Sequence, residues 1–149
     1  MAGIELRSSS FSDHDTIPRR HAREAENTSP PLVWSGVPDD AVELALVCED
    51  PDAPTGTFIH WLVTGIDPQT PGVDEGAVPA GGQQHPNGFG EPGWGGPQPP
   101  IGDPVHRYFF RVFALGEPVG SVDGDANAVR AAIEDRQIAS GTVVGVYQR

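Results

Sequence analysis

The stretch Tyr-Phe-Phe-Arg-Val-Phe-Ala-Leu, residues 108–115, has the strongest strand character in the chain. Aromatic and β-branched residues suit the pleated, half-buried surface of a sheet. Residues 58–66, Phe-Ile-His-Trp-Leu-Val-Thr-Gly-Ile, share this character. Residues 42–48 form a nearly continuous apolar run that is long enough for a buried strand and too short for an ordinary helix. These three segments predict the centre of a sheet.

Strict alternation of side chains along residues 58–66 predicts two faces. We expect one face to carry His60, Leu62 and Thr64, and the other to carry Ile59, Trp61 and Val63. A histidine inside a core strand must find a hydrogen-bond partner if it is buried. His60 is therefore a candidate functional residue.

The remaining segments complete a β-rich pattern. Shorter strands are predicted at residues 4–7, 32–34 and 142–147, with Gly141 releasing the last of them. The one good helix signal covers residues 126–137, where Asp125 can cap the first turn. The high content of 19 Gly and 16 Pro fits short strands and loops. We predict one domain over residues 1–149, an antiparallel β-sandwich with one short helix near the C-terminus.

The charge balance excludes several classes of function. Nine basic residues against 21 acidic ones give a formal net charge of −12, which disfavours nucleic acids and anionic lipid surfaces. Every basic residue is Arg. Without Lys there is no Schiff-base nucleophile, no pyridoxal phosphate anchor and no Walker A motif, and we expect no cofactor.

The lone Cys48 cannot form an intramolecular disulfide, which fits a reducing compartment. The N-terminal residues lack a basic segment followed by an apolar run, and no stretch approaches membrane-spanning length. We therefore predict a cytoplasmic protein without stable membrane insertion.

Other motifs do not support catalysis or metal binding. Residues 88–93 spell a dinucleotide-binding fingerprint, but Pro92 lies inside it and no helix can begin there, so a turn-rich loop is expected. No nucleophile elbow occurs, and the five histidines are scattered. We predict no catalytic nucleophile and no metal site.

Residues 50–54, Asp-Pro-Asp-Ala-Pro, follow directly after a predicted buried strand. Taken alone they could be a solvated acidic turn, because Asp and Pro are common turn residues. His60 and His106 change this interpretation, since each lies in or beside a core strand and a carboxylate is a natural partner for a buried imidazole.

These residues, in this order, resemble the phosphatidylethanolamine-binding protein family, and in particular its prokaryotic Raf-kinase-inhibitor-like type. The resemblance rests on residues 27–34, 50–54, His60-Trp61, 96–100 and 106–108. It implies a β-sandwich with a ligand pocket formed by Asp50, Asp52, Pro54, His60, Gln98, Pro99, Pro100, His106 and Tyr108. Gln98 stands where many bacterial relatives have Cys.

Such a pocket suits a small anion such as phosphate. His60, His106 and backbone N–H groups can donate to it, and Tyr108 can add a hydroxyl. Asp50 and Asp52 are expected to orient the imidazoles and favour their protonated form. The strand period points Arg107 and Arg111 to the opposite face.

Three functions remain open. We favour a binding module for phosphate-bearing or other anionic ligands, because the sequence offers acid–base groups without a nucleophile, metal cage or cofactor motif. The alternatives are a regulator that binds a protein partner, such as a kinase or protease, and an enzyme that uses the same Asp and His residues as acid and base.

The resemblance also predicts a homodimer. Because two subunits of net charge −12 repel each other at long range, the contact should be apolar rather than ionic. Light scattering at low and high salt should therefore return twice the chain mass. A monomer under every salt condition would contradict this expectation.

Overall fold

The computed structural model describes residues 3–149, which form nine strands, one α-helix and a 3₁₀ turn at Arg19–His21. The strands are β1 (Glu5–Arg7), β2 (Asp15–Thr16), β3 (Leu32–Ser35), β4 (Glu43–Asp50), β5 (Phe58–Ile66), β6 (Gly72–Val73), β7 (Gln83–Gln84), β8 (His106–Leu115) and β9 (Gln137–Tyr147). Helix α1 spans Ala126–Arg136. The predicted β-rich class with one helix near the C-terminus is confirmed.

The strands form two sheets. The large sheet has six strands in the order β2-β9-β8-β4-β5-β7, and the small sheet has three in the order β1-β3-β6. Pairing between named strands of residues 3–149 is antiparallel except where β2 runs parallel to β9. The three strands predicted from the most apolar segments, β4, β5 and β8, lie together in the large sheet.

Both faces of the large sheet are covered by apolar contacts. One face packs against the small sheet, where Leu6, Leu32 and Trp34 meet side chains of β4, β5 and β8. The other face packs under α1, which contributes Val129 and Ile133. Burial on both faces explains why β4 reads as a continuous apolar run rather than an alternating one.

The helix and the last strand differ in detail from the sequence prediction. Asp125 caps α1 as expected, since its side chain accepts a hydrogen bond from the Ala128 amide at 3.1 Å. However, β9 begins at Gln137, directly after the helix, so Gly141 lies inside the strand. A side chain at Gly141 would overlap the carbonyl oxygen of Ile4. This glycine therefore permits close backbone approach and does not start the strand.

The predicted alternation along β5 holds for Trp61, Leu62 and Val63 and is wrong at His60, where the strand contains a β-bulge. Cys48 of β4 pairs with Trp61, and the next residue, Glu49, pairs with Ile59, so His60 is an extra residue on β5. His60 and Trp61 consequently face the same layer: Trp61 lies in the core between the sheets, and the His60 ring lies 5.2 Å from the ring of Tyr108. A bulge re-aims a side chain in this way.

The close approach at Gly141 gives a test of the fold. Gly141→Ala should destabilise the protein by roughly 1–3 kcal/mol, because the added methyl group meets backbone atoms that cannot rotate away. Thermal denaturation compared with Ser140→Ala, a change at an exposed position of the same strand, measures the effect. Equal melting temperatures for the two variants would contradict it.

Candidate functional site

A cavity of about 260 Å³ lies at the edge of the large sheet where β4 ends and β5 and β8 begin. Its lining combines a few polar groups with proline and aromatic rings, as small-ligand sites usually do. The lining residues are Asp50, Ala53, Pro54, Thr55, Phe58, His60, Phe89, Gln98, Pro99, Pro100, His106 and Tyr108. Eight of the nine residues predicted for the pocket are in this set.

Asp52 is the predicted residue that does not line the cavity. Its carboxylate turns outward and accepts two hydrogen bonds from the Arg107 guanidinium, at 2.8 and 2.9 Å. The bidentate contact holds the pKa of Asp52 below its ordinary value. The expectation that Asp52 orients a histidine is therefore wrong. The alternation of side chains along β8 places Arg107 on the outer side of the sheet, and Asp52 pairs with Arg107 on that side.

Asp50 occupies the position expected of an orienting carboxylate. His106 donates from Nδ1 to Oδ2 of Asp50 at 2.6 Å, and both side chains are almost fully buried. Oδ1 of Asp50 accepts a second hydrogen bond from the amide of Asp52 at 2.7 Å. Both oxygens of Asp50 are therefore engaged, and the carboxylate is fixed at the end of β4.

The second ring nitrogen of His106 also faces a carboxylate. Nε2 lies 3.2 Å from Oδ2 of Asp103, three residues earlier in the chain. Because an ionised carboxylate only accepts hydrogen bonds, these two contacts favour a ring with a proton on each nitrogen. Burial lowers the pKa of His106, but the hydrogen bonds to Asp50 and Asp103 outweigh it and raise the pKa overall. The two carboxylates thus favour the imidazolium form of His106.

His60 has a different environment. Its Nδ1 donates to the backbone carbonyl of Gly95 at 2.6 Å, not to a carboxylate as the sequence suggested. Burial lowers the pKa of His60, so the ring is neutral near pH 7. With the proton on Nδ1, the Nε2 atom carries a lone pair. His60 therefore offers the cavity an acceptor rather than the donor that we expected.

Tyr108 supplies a hydroxyl that the fold leaves without a partner. The residue is fully buried, and its oxygen makes no hydrogen bond to any group within residues 3–149. Burial raises the pKa of Tyr108, which keeps the hydroxyl protonated. An unpaired buried hydroxyl costs about 1–3 kcal/mol of stability, so its presence beside a cavity points to a ligand atom.

The aromatic part of the cavity lining was not predicted from the sequence. Phe89 lies at the tip of residues 88–93, the turn-rich loop, and its ring contacts that of Phe58 at 4.7 Å. The guanidinium of Arg23 stacks on the outer face of Phe89 at 3.8 Å. The buried side chain of Asn87 holds this loop, because it bonds to the amide of Phe89 and the carbonyl of Gly93. One signal was available, namely a large aromatic residue between two glycines.

A larger cavity of about 410 Å³ lies between the start of β5 and the N-terminus of α1, and it shares Phe58 with the first. None of the residues predicted for the pocket lines it. His85, which does, is already bonded through Nε2 to Thr64 at 2.7 Å. The concentration of buried polar groups therefore favours the smaller cavity as the functional site.

Known proteins resemble this chain over nearly its whole length. Residues 7–148 match the phosphatidylethanolamine-binding protein family. The chain is 40% identical to the UPF0098 protein of Methanothermobacter thermautotrophicus, covering 98% of this chain and 99% of the relative. The crystal structure of Escherichia coli YbcL, described as a new member of the mammalian PEBP family, superposes with a TM-score of 0.93 at 31% identity, covering 99% of each chain. CT736 of Chlamydia trachomatis, described as a homologue of that family, gives 0.88 at 33% identity, covering 100% of this chain and 99% of its own.

The two sheets and the one short helix of residues 3–149 make this a β-rich protein. This chain belongs to the phosphatidylethanolamine-binding protein family.

One relative bears on the cellular location. A Mycobacterium tuberculosis relative, named as the lipoprotein LppC, is 40% identical over 97% of this chain and 72% of its own length. No helix within residues 3–149 is long and apolar enough to cross a bilayer. A cytoplasmic location stays a prediction.

The two cavity histidines should titrate on opposite sides of their ordinary pKa of 6.5, His106 above it and His60 below it. The stabilisation from His106 is fully present below about pH 6.5 and is lost as pH rises through its raised pKa. NMR titration of the ring signals measures both values.

Asp50→Asn should lower the pKa of His106 by removing its buried anionic partner, and it should leave the pKa of His85, which is bonded to Thr64, unchanged as an internal control. A His106 pKa that is unaffected by this substitution would contradict the assignment of Asp50.

Proposed function

We propose that this protein binds a small ligand bearing a phosphate group in the cavity formed by Asp50, His60, His106 and Tyr108. The observation that carries the proposal is the unpaired hydroxyl of Tyr108, which is fully buried at a cavity wall. No group within residues 3–149 forms a hydrogen bond with this hydroxyl, so a ligand oxygen is its natural partner.

The polar groups fit a protonated phosphate better than a fully ionised one. Tyr108 can donate, and protonated His106 supplies positive charge. Neutral His60 can only accept at Nε2, and the P–OH group of a phosphate monoanion can donate to it. A dianion has no proton to donate to this lone pair. The site therefore favours the monoanion of phosphate or of a phosphomonoester head group.

The apolar part of the lining suits a ligand that is more than inorganic phosphate. Phe58, Phe89 and Pro54 leave room beside the polar groups in a cavity of about 260 Å³. The family takes its name from a phospholipid whose head group joins a phosphodiester to an ammonium group. We infer that a phosphorylated small molecule with a short apolar or cationic extension is bound.

A regulator that binds a protein partner is the second candidate. It is favoured by Ile101, which is 81% exposed on the loop that follows the cavity residues Pro99 and Pro100. An apolar side chain this exposed at the rim can contact another protein. The homodimer and the cytoplasmic location are proposals that accompany either function.

Calorimetric titration with phosphate and with a phosphomonoester tests the binding proposal. Affinity should fall as pH rises from about 5.5 to about 8, because the ligand monoanion is lost over this range, and it should fall further where pH passes the raised pKa of His106. Tyr108→Phe should weaken binding about five-fold, the contribution of a hydrogen bond of about 1 kcal/mol, without lowering the melting temperature.

Tyr147→Phe is the matched control, since its hydroxyl contacts Glu24 outside the cavity lining. It should bind phosphate as the wild type does. Binding by Tyr108→Phe that equals the wild type would remove the observation on which the proposal rests.

A further inference from the structure

Asp103 lies on the loop between the cavity residue Pro100 and β8, and its carboxylate contacts the Nε2 atom of His106 at 3.2 Å. The Nδ1 contact to Asp50 on the other side of the ring is 2.6 Å long. The two carboxylates also differ in exposure, because the side chain of Asp103 is 36% exposed and that of Asp50 only 4%. His106 therefore has one fixed anionic partner and one weaker, solvent-facing partner.

We propose that Asp103 is a built-in competitor, a carboxylate of the protein itself that occupies the Nε2 donor of His106 and must leave before an external anion can use that donor. The proposal rests on the proposed function, since it concerns how the same cavity admits a phosphate. It assigns a role to a residue outside the predicted site and outside the cavity lining.

The contacts of Asp50 explain why the competition falls on Asp103. Both oxygens of Asp50 are bonded, one to His106 and one to the amide of Asp52, and the residue ends a central strand. Displacing it would leave a buried carboxylate unpaired, which is strongly destabilising. Displacing Asp103 returns a partly exposed carboxylate to water, which costs little.

The backbone around Asp103 shows how the carboxylate is held near the ring. The amide of Asp103 bonds to the carbonyl of Pro100 at 3.1 Å and closes a tight turn in which Gly102 has φ +89°. The side-chain amide of Gln148 donates to the carbonyl of Asp103 at 3.0 Å. Arg149 donates to the carbonyl of Pro99 at 2.6 Å. The backbone is thus tied to the end of β9, while the side chain can rotate away from His106.

The charge balance around His106 gives the same conclusion. With Asp103 in contact, the imidazolium of His106 is flanked by two carboxylates, and the three groups together carry a net negative charge. An approaching phosphate is therefore repelled. When Asp103 rotates out, the ring and Asp50 form a neutral pair with one free N–H donor. An anion then gains a charge-assisted hydrogen bond, which is stronger than a neutral one.

Calorimetric phosphate titrations at constant ionic strength test the proposal with three variants. Asp103→Asn and Asp103→Ala remove the competing charge, and the alanine variant also removes any side-chain acceptor. Asp52→Asn is the matched control, because it also deletes one carboxylate near His106, but one that pairs with Arg107 outside the cavity lining. Both Asp103 variants should bind phosphate at least about three-fold more tightly than the wild type and Asp52→Asn, the scale of an exposed ion pair.

The outcomes separate this proposal from the proposed function. If the wild type binds phosphate and the Asp103 variants bind no more tightly than Asp52→Asn, Asp103 does not compete, although the binding function stands. If neither the wild type nor the Asp103 variants bind phosphate or a phosphomonoester, both proposals are overturned. As a direct readout, saturating phosphate should shift the ¹⁵N signal of His106 Nε2 in the wild type and leave that of Nδ1, on Asp50, nearly unchanged. A shift confined to Nδ1 would contradict the displacement of Asp103.

Discussion

The antiparallel pairing of β4 with β8 is the constraint on which the site depends. Its register runs from Glu43 opposite Leu115 to Glu49 opposite Phe109, and this brings Asp50 at the end of β4 next to His106 at the start of β8. A slip of one residue would turn every side chain of a strand to the other face of the sheet. A slip of β4 would then take Asp50 out of the cavity, and a slip of β8 would do the same to Tyr108. The apolar packing on both faces fixes the register, and the register fixes the chemistry.

The central strands and the helix could be predicted from the sequence because their physical signals are local. Aromatic and β-branched residues mark β5 and β8, and Asp125 marks the start of α1. The start of β9 could not be predicted, because a strand that continues directly from a helix has no turn residues between them. The role of Gly141 could not be predicted either, because it depends on the distant backbone of Ile4.

Most residues of the candidate site could be predicted from the sequence, but their hydrogen-bond partners could not. The family resemblance brought together eight of the residues that line the cavity. It could not show that His60 donates to a backbone carbonyl, or that Asp52 pairs with Arg107. These contacts depend on a bulge and on the direction of a turn, and both arise from long-range pairing. Phe89 and Asp103 were missed because a loop residue acquires its role only when the loop is placed against the sheet.

The extra residue in β5 serves the pocket rather than the scaffold. His60 and Trp61 are neighbours in the chain, yet one reaches the cavity and the other the core between the sheets, where its ring lies 5.7 Å from that of Trp94. Deleting His60 would remove the register shift between Cys48 and Glu49 and would still leave a strand able to pair with β4. The bulge is therefore a requirement of the pocket and not of the scaffold.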